Sequence, residues 1–301
     1  MPTRLNDSPR HISWPGTTLE YMTKNACPTI EMNNSNAIPQ IGLGLWLTKD
    51  EKECHLAIES AIESGYTHFD SAQIYGNEKF LGDAIQDAYK SNSNLKREDL
   101  FITTKLWNDN QAGDLAIPSF EQSLENLQMD YVDLFLVHFP VTETRRNAWE
   151  KMEEIFESGR AKSIGVSNYM VNHLEELSKE CKIIPAINQV EMHVYLQQKE
   201  LRDYCAEKGI VIEAYSPLAH GNDIDNPVLE KIASKHSKTN AQIMIKWCAQ
   251  NDMVVLPKSV TPERIAQNID IFDFELDVDD LKDIESLEKN YRTCWDPTTV
   301  N

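Results

Sequence analysis

Short apolar runs alternate with amphipathic windows along most of this chain of 301 residues. Runs rich in β-branched and aliphatic residues predict eight strands, at residues 40–44, 66–70, 101–105, 131–138, 161–166, 186–191, 211–215 and 254–257. Helical windows lie between them, for example at 53–64, 78–91, 118–128, 148–157, 197–208 and 241–250, with an acidic surface helix at 277–288. Eight strand–helix units predict an α/β fold of the (β/α)8 type, a TIM barrel.

The region before the first barrel strand has a different character. Residues 29–32 and 37–39 flank the turn 33–36 and predict a β-hairpin, which we expect to close the bottom of the barrel. Residues 1–28 predict an irregular extension. We expect residues 29–301 to form a single domain, because barrels of this length fold as one unit.

Composition excludes several classes of function. The formal net charge is −19, and an acidic surface repels nucleic-acid phosphates and anionic lipids. The six cysteines are scattered, without the paired spacing of a zinc or redox centre, so we expect reduced thiols and no metal. No stretch is typical of a signal peptide or a membrane span. The chain therefore predicts a cytoplasmic protein, which we expect to be a monomer.

Four polar residues lie where successive predicted strands end. Asp70 and Tyr75 follow one strand, Lys105 ends the next, and His138 ends the one after. Catalytic groups of barrels lie at the carboxyl ends of their strands, so we expect these side chains to meet. Taken singly, each is more often a packing, turn or solvated residue; together they form a reactive set.

Eight motifs occur in one order along the chain: Gly42-Leu-Gly-Leu-Trp46, Gly65-Tyr-Thr-His-Phe-Asp-Ser-Ala-Gln-Ile-Tyr75, Thr104-Lys-Leu-Trp107, Leu136-Val-His138, Gly165-Val-Ser-Asn168, Gln189-Val-Glu-Met-His193, Ala214-Tyr-Ser-Pro-Leu218 and Pro257-Lys-Ser-Val-Thr-Pro-Glu-Arg264. On these motifs the chain resembles the aldo-keto reductase family from about residue 29 to residue 297. The resemblance implies an NADP-dependent reductase of small-molecule carbonyl compounds.

The four polar residues suit that chemistry. Hydride addition to a carbonyl builds negative charge on oxygen, so the site needs a proton donor, for which Tyr75 is the candidate. We expect the Lys105 ammonium to lower the pKa of Tyr75, and Asp70 to be the counter-ion of Lys105. His138 is expected to donate a hydrogen bond that orients the carbonyl. The remaining candidates His68, His193 and His220 are treated as structural or unassigned.

The cofactor site is expected away from the first glycine pair. Gly42 and Gly44 would need a third glycine at Leu47 to form a Rossmann fingerprint. Phosphates in barrels favour the loops after strands seven and eight and a helix N-terminus. There Thr261 is a candidate N-cap and Pro262 the first helical residue.

The resemblance assigns cofactor contacts residue by residue. It implies that Lys258, Ser259 and Arg264 bind the 2′-phosphate of NADP, which predicts a preference for NADPH. The other implied contacts are Ser167, Asn168 and Gln189 with the nicotinamide carboxamide, Tyr215 stacked on its ring, Ser216 and Leu218 beside the pyrophosphate, Asn268 near the adenine, and Gly44, Leu45, Trp46 and Val260. Two positions depart from the family pattern. Leu45 stands where Thr is common, which puts a side-chain contact in doubt but leaves a backbone contact, and Gln267 stands where Glu is frequent.

The loop after His138 is short, only residues 139–148. This length resembles the short-loop branch that includes diketogluconate reductases and prostaglandin F synthase-like enzymes, and it predicts an open pocket. Candidate walls are Trp46, Trp107, His138 and Phe139, with Trp295 as a further one. Two alternatives stay open: an NADPH-binding regulatory subunit like the potassium-channel β subunits, which generally carry Asn in place of His138, and a barrel hydrolase or isomerase without cofactor.

Overall fold

The computed structural model describes residues 27–301, and the predicted extension lies outside the described residues except for its last two. Eight strands form one sheet in which every neighbouring pair is parallel. They are β3 (Leu43–Gly44), β4 (His68–Asp70), β5 (Phe101–Leu106), β6 (Leu134–Val137), β7 (Ile164–Ser167), β8 (Ile187–Glu191), β9 (Val211–Tyr215) and β10 (Val254–Leu256). A parallel bridge between Ile41 and Val255 joins the first strand to the last, and the barrel prediction is confirmed.

Helices follow the strands and cover the outside of the barrel. They are α1 (Glu51–Glu63), α2 (Glu78–Ser91), α3 (Ala116–Leu127), α4 (Arg145–Glu157), α5 (Val171–Ser178), α6 (Lys199–Lys208), α7 (Pro227–His236), α8 (Asn240–Gln250), α9 (Pro262–Ile269) and α10 (Val278–Glu285). The acidic run provides its own cap, since Asp277 accepts from the Asp279 and Asp280 amides. Three helices, α5, α7 and α9, lie outside the predicted windows, although the start of α9 was predicted at Thr261 and Pro262.

The predicted hairpin is present as β1 (Thr29–Glu31) and β2 (Ala37–Pro39), paired antiparallel. Two of its buried side chains, Met32 and Ile38, belong to an apolar cluster with the first residues of barrel strands. Those strand residues include Phe101, Leu134 and Val254. The hairpin therefore closes the amino-terminal end of the barrel, as predicted, and leaves the carboxyl end open for chemistry.

Several strands are shorter than predicted, among them β3, β4 and β7, and for β6 the structure shows the reason. β6 begins at Leu134 rather than at residue 131, and Val132 makes only an isolated bridge with Ala161. The Asp133 carboxylate accepts the Ile102 amide at 2.9 Å and an Arg97 donor at 2.6 Å. A side chain thus satisfies a backbone group that a longer strand would have paired.

Within residues 27–301, no helix has both the length and the apolar composition needed to cross a membrane. The same residues contain no cluster of three or more His, Cys, Asp or Glu side chains arranged to hold a metal ion. All six cysteines are free, and Cys54, Cys205 and Cys248 are buried. Cytoplasmic location, the monomeric state and the single-domain boundary stay predictions.

Candidate active site

Lys105 lies in β5 with its side chain fully buried near the carboxyl end of the barrel. Its Nζ atom donates to Asp70 Oδ1 at 2.6 Å, to the Ser71 carbonyl at 2.9 Å and to Tyr75 Oη at 3.2 Å. An ammonium has three N–H donors, so these contacts use all of them. The Lys105 charge is therefore fixed beside the Tyr75 oxygen, with Asp70 as its carboxylate partner.

Tyr75 ends a 3₁₀ turn (Gln73–Tyr75) that follows β4. The next residue, Gly76, has a left-handed φ of 68°, which glycine adopts without steric cost. The Tyr75 oxygen accepts from Lys105, and its own O–H group has no acceptor among residues 27–301. The phenolic proton is therefore available to a ligand.

The predicted direction of the Tyr75 pKa shift was wrong. Burial raises the pKa of Tyr75 well above its ordinary value, and the Asp70 carboxylate acts in the same direction. Although the Tyr75 side chain as a whole is half-buried, the loss of water around its phenol and the Asp70 carboxylate both act against the ammonium that was expected to lower its pKa. The raised pKa keeps Tyr75 protonated at neutral pH, which is the state that a proton donor needs.

His138 follows β6 and is almost fully buried. Its ring lies 5.7 Å from the Tyr75 ring and 5.2 Å from the Trp107 ring, centroid to centroid. Burial lowers the pKa of His138 well below its ordinary value, and the Lys105 charge adds to this effect. The imidazole is therefore neutral and carries one N–H donor. Its Nδ1 atom has no hydrogen-bond partner among the residues described.

Aromatic side chains surround these two rings, and they are the predicted substrate walls. The Trp46 ring lies 4.8 Å from the Tyr75 ring. Trp295, from the carboxyl-terminal segment, lies 5.7 Å from Trp107 and 6.3 Å from Phe139. The structure thus brings Trp46, Trp107, His138 and Phe139 together in one cluster, with Trp295 in contact with all four.

The residues predicted to bind nicotinamide form one connected network on β7, β8 and β9. Asn168 Nδ2 donates to the His138 carbonyl at 2.9 Å, while its Oδ1 accepts from Tyr215 Oη at 2.8 Å. Ser167 Oγ donates to the Gln189 carbonyl at 2.9 Å. Asn168 has a left-handed φ of 66°. Asparagine is one of the few non-glycine residues that adopt this conformation readily.

The predicted phosphate residues lie after β10. Helix α9 begins as expected, with Thr261 as N-cap and Pro262 in its first turn. The Thr261 side chain does not cap the helix; instead the Thr261 amide donates to Ser259 Oγ at 3.1 Å. Lys258 and Arg264 are exposed, and neither lies within ion-pair distance of a carboxylate among the residues described.

Asn268 is buried in α9, and its side chain makes no hydrogen bond with residues 27–301. Val260 is half-buried beside Ser259. Ser216 directly follows β9 and has a left-handed φ of 50°. Leu218 lies two residues further along the chain. Ser216 Oγ lies 3.2 Å from His220 Nε2, which gives that histidine a structural partner.

A sequence model of the aldo/keto reductase family matches residues 40–222 and 224–289. The chain belongs to the aldo/keto reductase family. It is 43% identical over 269 residues to glyoxal reductase of Bacillus subtilis, which covers 89% of this chain and 96% of that protein. It is also 43% identical over 277 residues to methylglyoxal reductase DkgA of Escherichia coli K12, covering 90% and 98% respectively. The predicted family is confirmed, and with it an oxidoreductase that reduces carbonyl compounds.

A solved aldo-keto reductase of Bombyx mori matches the fold with a TM-score of 0.86 and 33% identity, over 91% of this chain and 99% of that one. That structure is a complex with NADP. The family uses NADP(H). The cofactor predicted from the motifs of this aldo-keto reductase is therefore confirmed at the level of its family.

Sequence reasoning missed Asn77, which is buried two residues after Tyr75. Its Nδ2 atom donates to the carbonyls of Leu45 and Thr48 at 2.9 and 3.0 Å, and its Oδ1 accepts from Ser71 Oγ at 2.7 Å. Asn77 thus fixes the loop after β3 to the loop that carries Tyr75. Its place two residues after Tyr75 was the available signal.

Leu45 is less available to a cofactor than predicted. Its side chain is fully buried in the core. Its amide donates to the Asp70 carbonyl at 3.0 Å, and its carbonyl accepts from Thr48 and Asn77. Neighbouring Gly44 donates its amide to the Pro257 carbonyl at 3.2 Å, joining β3 to the end of β10. Both residues therefore hold the end of β3 close to the loop after β10, which carries the predicted phosphate-binding residues.

Proposed function

We propose that this aldo-keto reductase reduces small aldehydes and ketones to alcohols with NADPH, and that Tyr75 is the proton donor. The observation that carries the proposal is the 3.2 Å contact of Lys105 Nζ with Tyr75 Oη, made by an ammonium that also pairs with Asp70 at 2.6 Å. A buried ammonium beside a phenol stabilises the phenolate that remains after proton transfer. This is the arrangement that a reductase requires.

The reaction divides between cofactor and protein. When bound, NADPH supplies the hydride to the carbonyl carbon. As negative charge develops on the carbonyl oxygen, Tyr75 transfers its phenolic proton to that oxygen, and Lys105 stabilises the phenolate. The product is the alcohol, and a proton from solvent restores Tyr75. His138, neutral because of its burial, donates its N–H to the carbonyl oxygen and orients it.

The donor groups around the rim fit NADPH. Lys258 and Arg264 are exposed cations beside the start of α9, where free amides and the helix dipole favour a phosphomonoester. The unpartnered amide of Asn268 lies in the same helix and can meet the adenine. Ser216, in its left-handed conformation, can direct its amide to the pyrophosphate.

Small α-oxoaldehydes are the substrate class that we favour. Two relatives at 43% identity are named glyoxal reductase and methylglyoxal reductase. Among the candidate walls, the Trp295 ring lies 6.0 Å from the Trp46 ring and 5.7 Å from the Trp107 ring, centroid to centroid. A compact aromatic opening excludes water from a small carbonyl compound without demanding many polar contacts.

The direct test is titration with NADPH, followed by turnover. Because three tryptophans surround the proposed site, we expect micromolar NADPH to quench tryptophan fluorescence. NADPH oxidation should then follow on addition of glyoxal or methylglyoxal, with glycerol as a non-carbonyl control. The absence of quenching contradicts the proposed cofactor. If NADPH quenches the fluorescence but is not oxidised in the presence of any aldehyde, ketose, diketone or quinone, the result contradicts the proposed reductase activity and favours the regulatory alternative.

A further inference from the structure

Behind the Lys105–Asp70 pair lies a second buried carboxyl that the proposed mechanism does not use. Glu213 is in the middle of β9 and is completely buried. Its Oε2 atom accepts from Gln189 Nε2 at 2.7 Å, and the same Gln189 nitrogen donates to Asp70 Oδ2 at 2.9 Å. One amide group therefore joins two carboxyl groups in the barrel interior.

The charges of this cluster do not balance if both carboxyls are ionised. The titratable groups around Glu213 are His68 and Asp70 on β4, Lys105 on β5 and Tyr75 beyond them. Lys105 is the cation that contacts Asp70 directly. Burial lowers the pKa of His68 to about 3, so that imidazole is neutral. An unpaired carboxylate in a dry core is strongly unfavourable, so one proton remains on the carboxyl pair.

Geometry assigns that proton to Glu213. Asp70 accepts from the Lys105 ammonium at 2.6 Å, which favours its ionised form. Glu213 has no cation in contact, and its Oε1 atom has no partner among the described residues, lying 3.6 Å from His68 Nε2. A proton on Oε1 would face that neutral imidazole nitrogen. In agreement, burial raises the pKa of Glu213 to about 8, and the Asp70 charge contributes. Burial raises the pKa of Asp70 as well, but the Lys105 ammonium in contact with Asp70 opposes that shift.

Two carboxyl groups also determine how Gln189 is oriented. Since both accept hydrogen bonds, the Gln189 atom that faces them is its NH₂ nitrogen. Its Oε1 atom has no donor within the described part of the chain. Gln189 therefore presents an acceptor to the pocket, matched to the NH₂ group of a nicotinamide carboxamide.

We propose that Glu213 is a positioning residue of the active site: as a neutral acid it holds Gln189 with its carbonyl oxygen towards the nicotinamide, and it leaves Asp70 as the single counter-ion of Lys105. The role towards nicotinamide rests on the proposed function. The neutral state of Glu213 does not, because it concerns the protein without cofactor.

The protonation is tested by thermal melting of the cofactor-free protein between pH 5 and pH 9. A Glu that is neutral in the fold has a folded pKa above its unfolded value of about 4.3. Its contribution to stability is complete below the unfolded value and is lost as pH rises through about 8. Glu213→Gln does not titrate, so its melting temperature minus that of the wild type should increase from pH 5 to pH 8 and then level off.

A matched control is Asp223→Asn, which also changes a carboxyl group to its amide. Hydrogen bonds from Lys289 and Asn226 lower the pKa of Asp223, and no histidine contacts its carboxylate among the residues described. Asp223 is thus ionised throughout this pH range, and the difference of this variant from the wild type should stay constant. If the melting-temperature difference between Glu213→Gln and the wild type is also constant, the claim that Glu213 is neutral in the folded protein is overturned.

The positioning is tested with 3-acetylpyridine adenine dinucleotide phosphate, in which a methyl group replaces the carboxamide NH₂. The wild type and Glu213→Gln should bind NADP+ about tenfold more tightly than this analogue, the worth of one good hydrogen bond. Glu213→Leu, which leaves Gln189 without this partner, should bind both about equally. Circular dichroism verifies that the variant is folded.

The outcomes separate the two claims. Unchanged discrimination in a folded Glu213→Leu variant overturns the positioning role while the proposed function stands. Failure of the wild type to bind NADP+ at all overturns the proposed function and the positioning role together. Loss of discrimination in Glu213→Gln, which keeps an acceptor towards Gln189, likewise contradicts the inference.

Discussion

The two ends of the barrel are built from the same strands with opposite chemistry. At the amino-terminal end, Met32 and Ile38 of the hairpin form an apolar cluster with Phe101, Leu134 and Val254. At the carboxyl end, only a few residues further along the strands, ionisable side chains are buried as deeply as that apolar cluster: Asp70, Lys105, His138 and Glu213.

This difference between the two ends shows that stability and reactivity depend on opposite ends of the barrel. Apolar burial stabilises by about 25 cal/mol per Å² and needs no partner. Buried ionisable groups oppose folding unless they are paired, and the same desolvation shifts the pKa values of Tyr75 and His138 away from their ordinary values. One end is therefore expected to govern unfolding, and the other turnover.

The largest expected effect is on turnover. Tyr75→Phe removes the proposed proton donor and should lower kcat by about 10²–10⁴-fold, while NADPH binding and the melting temperature change little. Steady-state kinetics and fluorescence titration measure this. Tyr131→Phe, on a half-buried tyrosine that packs against Arg97, is the control and should turn over normally. More than a tenth of wild-type activity in Tyr75→Phe would refute the assignment.

The opposite end should show the reverse result. Ile38→Ala truncates a fully buried side chain of the β1–β2 hairpin and should reduce the free energy of unfolding by about 2–5 kcal/mol. The kcat of the folded fraction should be unchanged. Urea titration measures the loss. Leu56→Ala, on the exposed face of α1, should cost about 0.5 kcal/mol or less. A fall in kcat comparable to that of Tyr75→Phe would break the division between the two ends.

The smallest expected effect is on cofactor binding at the carboxyl end of the barrel. Arg264→Ala should weaken NADPH binding about tenfold, the scale of one charge-assisted contact, and leave NADH binding unchanged. Competition between the two nucleotides measures the ratio. Arg146→Ala, at an exposed arginine of α4 paired with Glu180, serves as control and should alter neither. Equal losses for both nucleotides would remove the assignment of the 2′-phosphate to Arg264.

Local sequence was sufficient for the elements and for the primary set of polar residues. Strand β9 and helix α2 have the predicted bounds, and Asp70, Tyr75, Lys105 and His138 meet because parallel strands end on one rim. Asn77 was missed although it lies only two residues after Tyr75, whereas Glu213 has no neighbour along the chain that indicates burial beside Asp70. The link from Asp70 to Gln189 spans 119 residues and arises only when the barrel closes.

The sequence by itself determined the barrel, its family and the residues of the candidate site, because strand periodicity and motif order are local properties of the chain. The tertiary structure decided their electrostatic state. Burial reversed the expected pKa shift of Tyr75, made His138 neutral and raised the pKa of Glu213 to about 8. Each shift depends on how much water and which charges surround the group, and those are set only when distant strands come together.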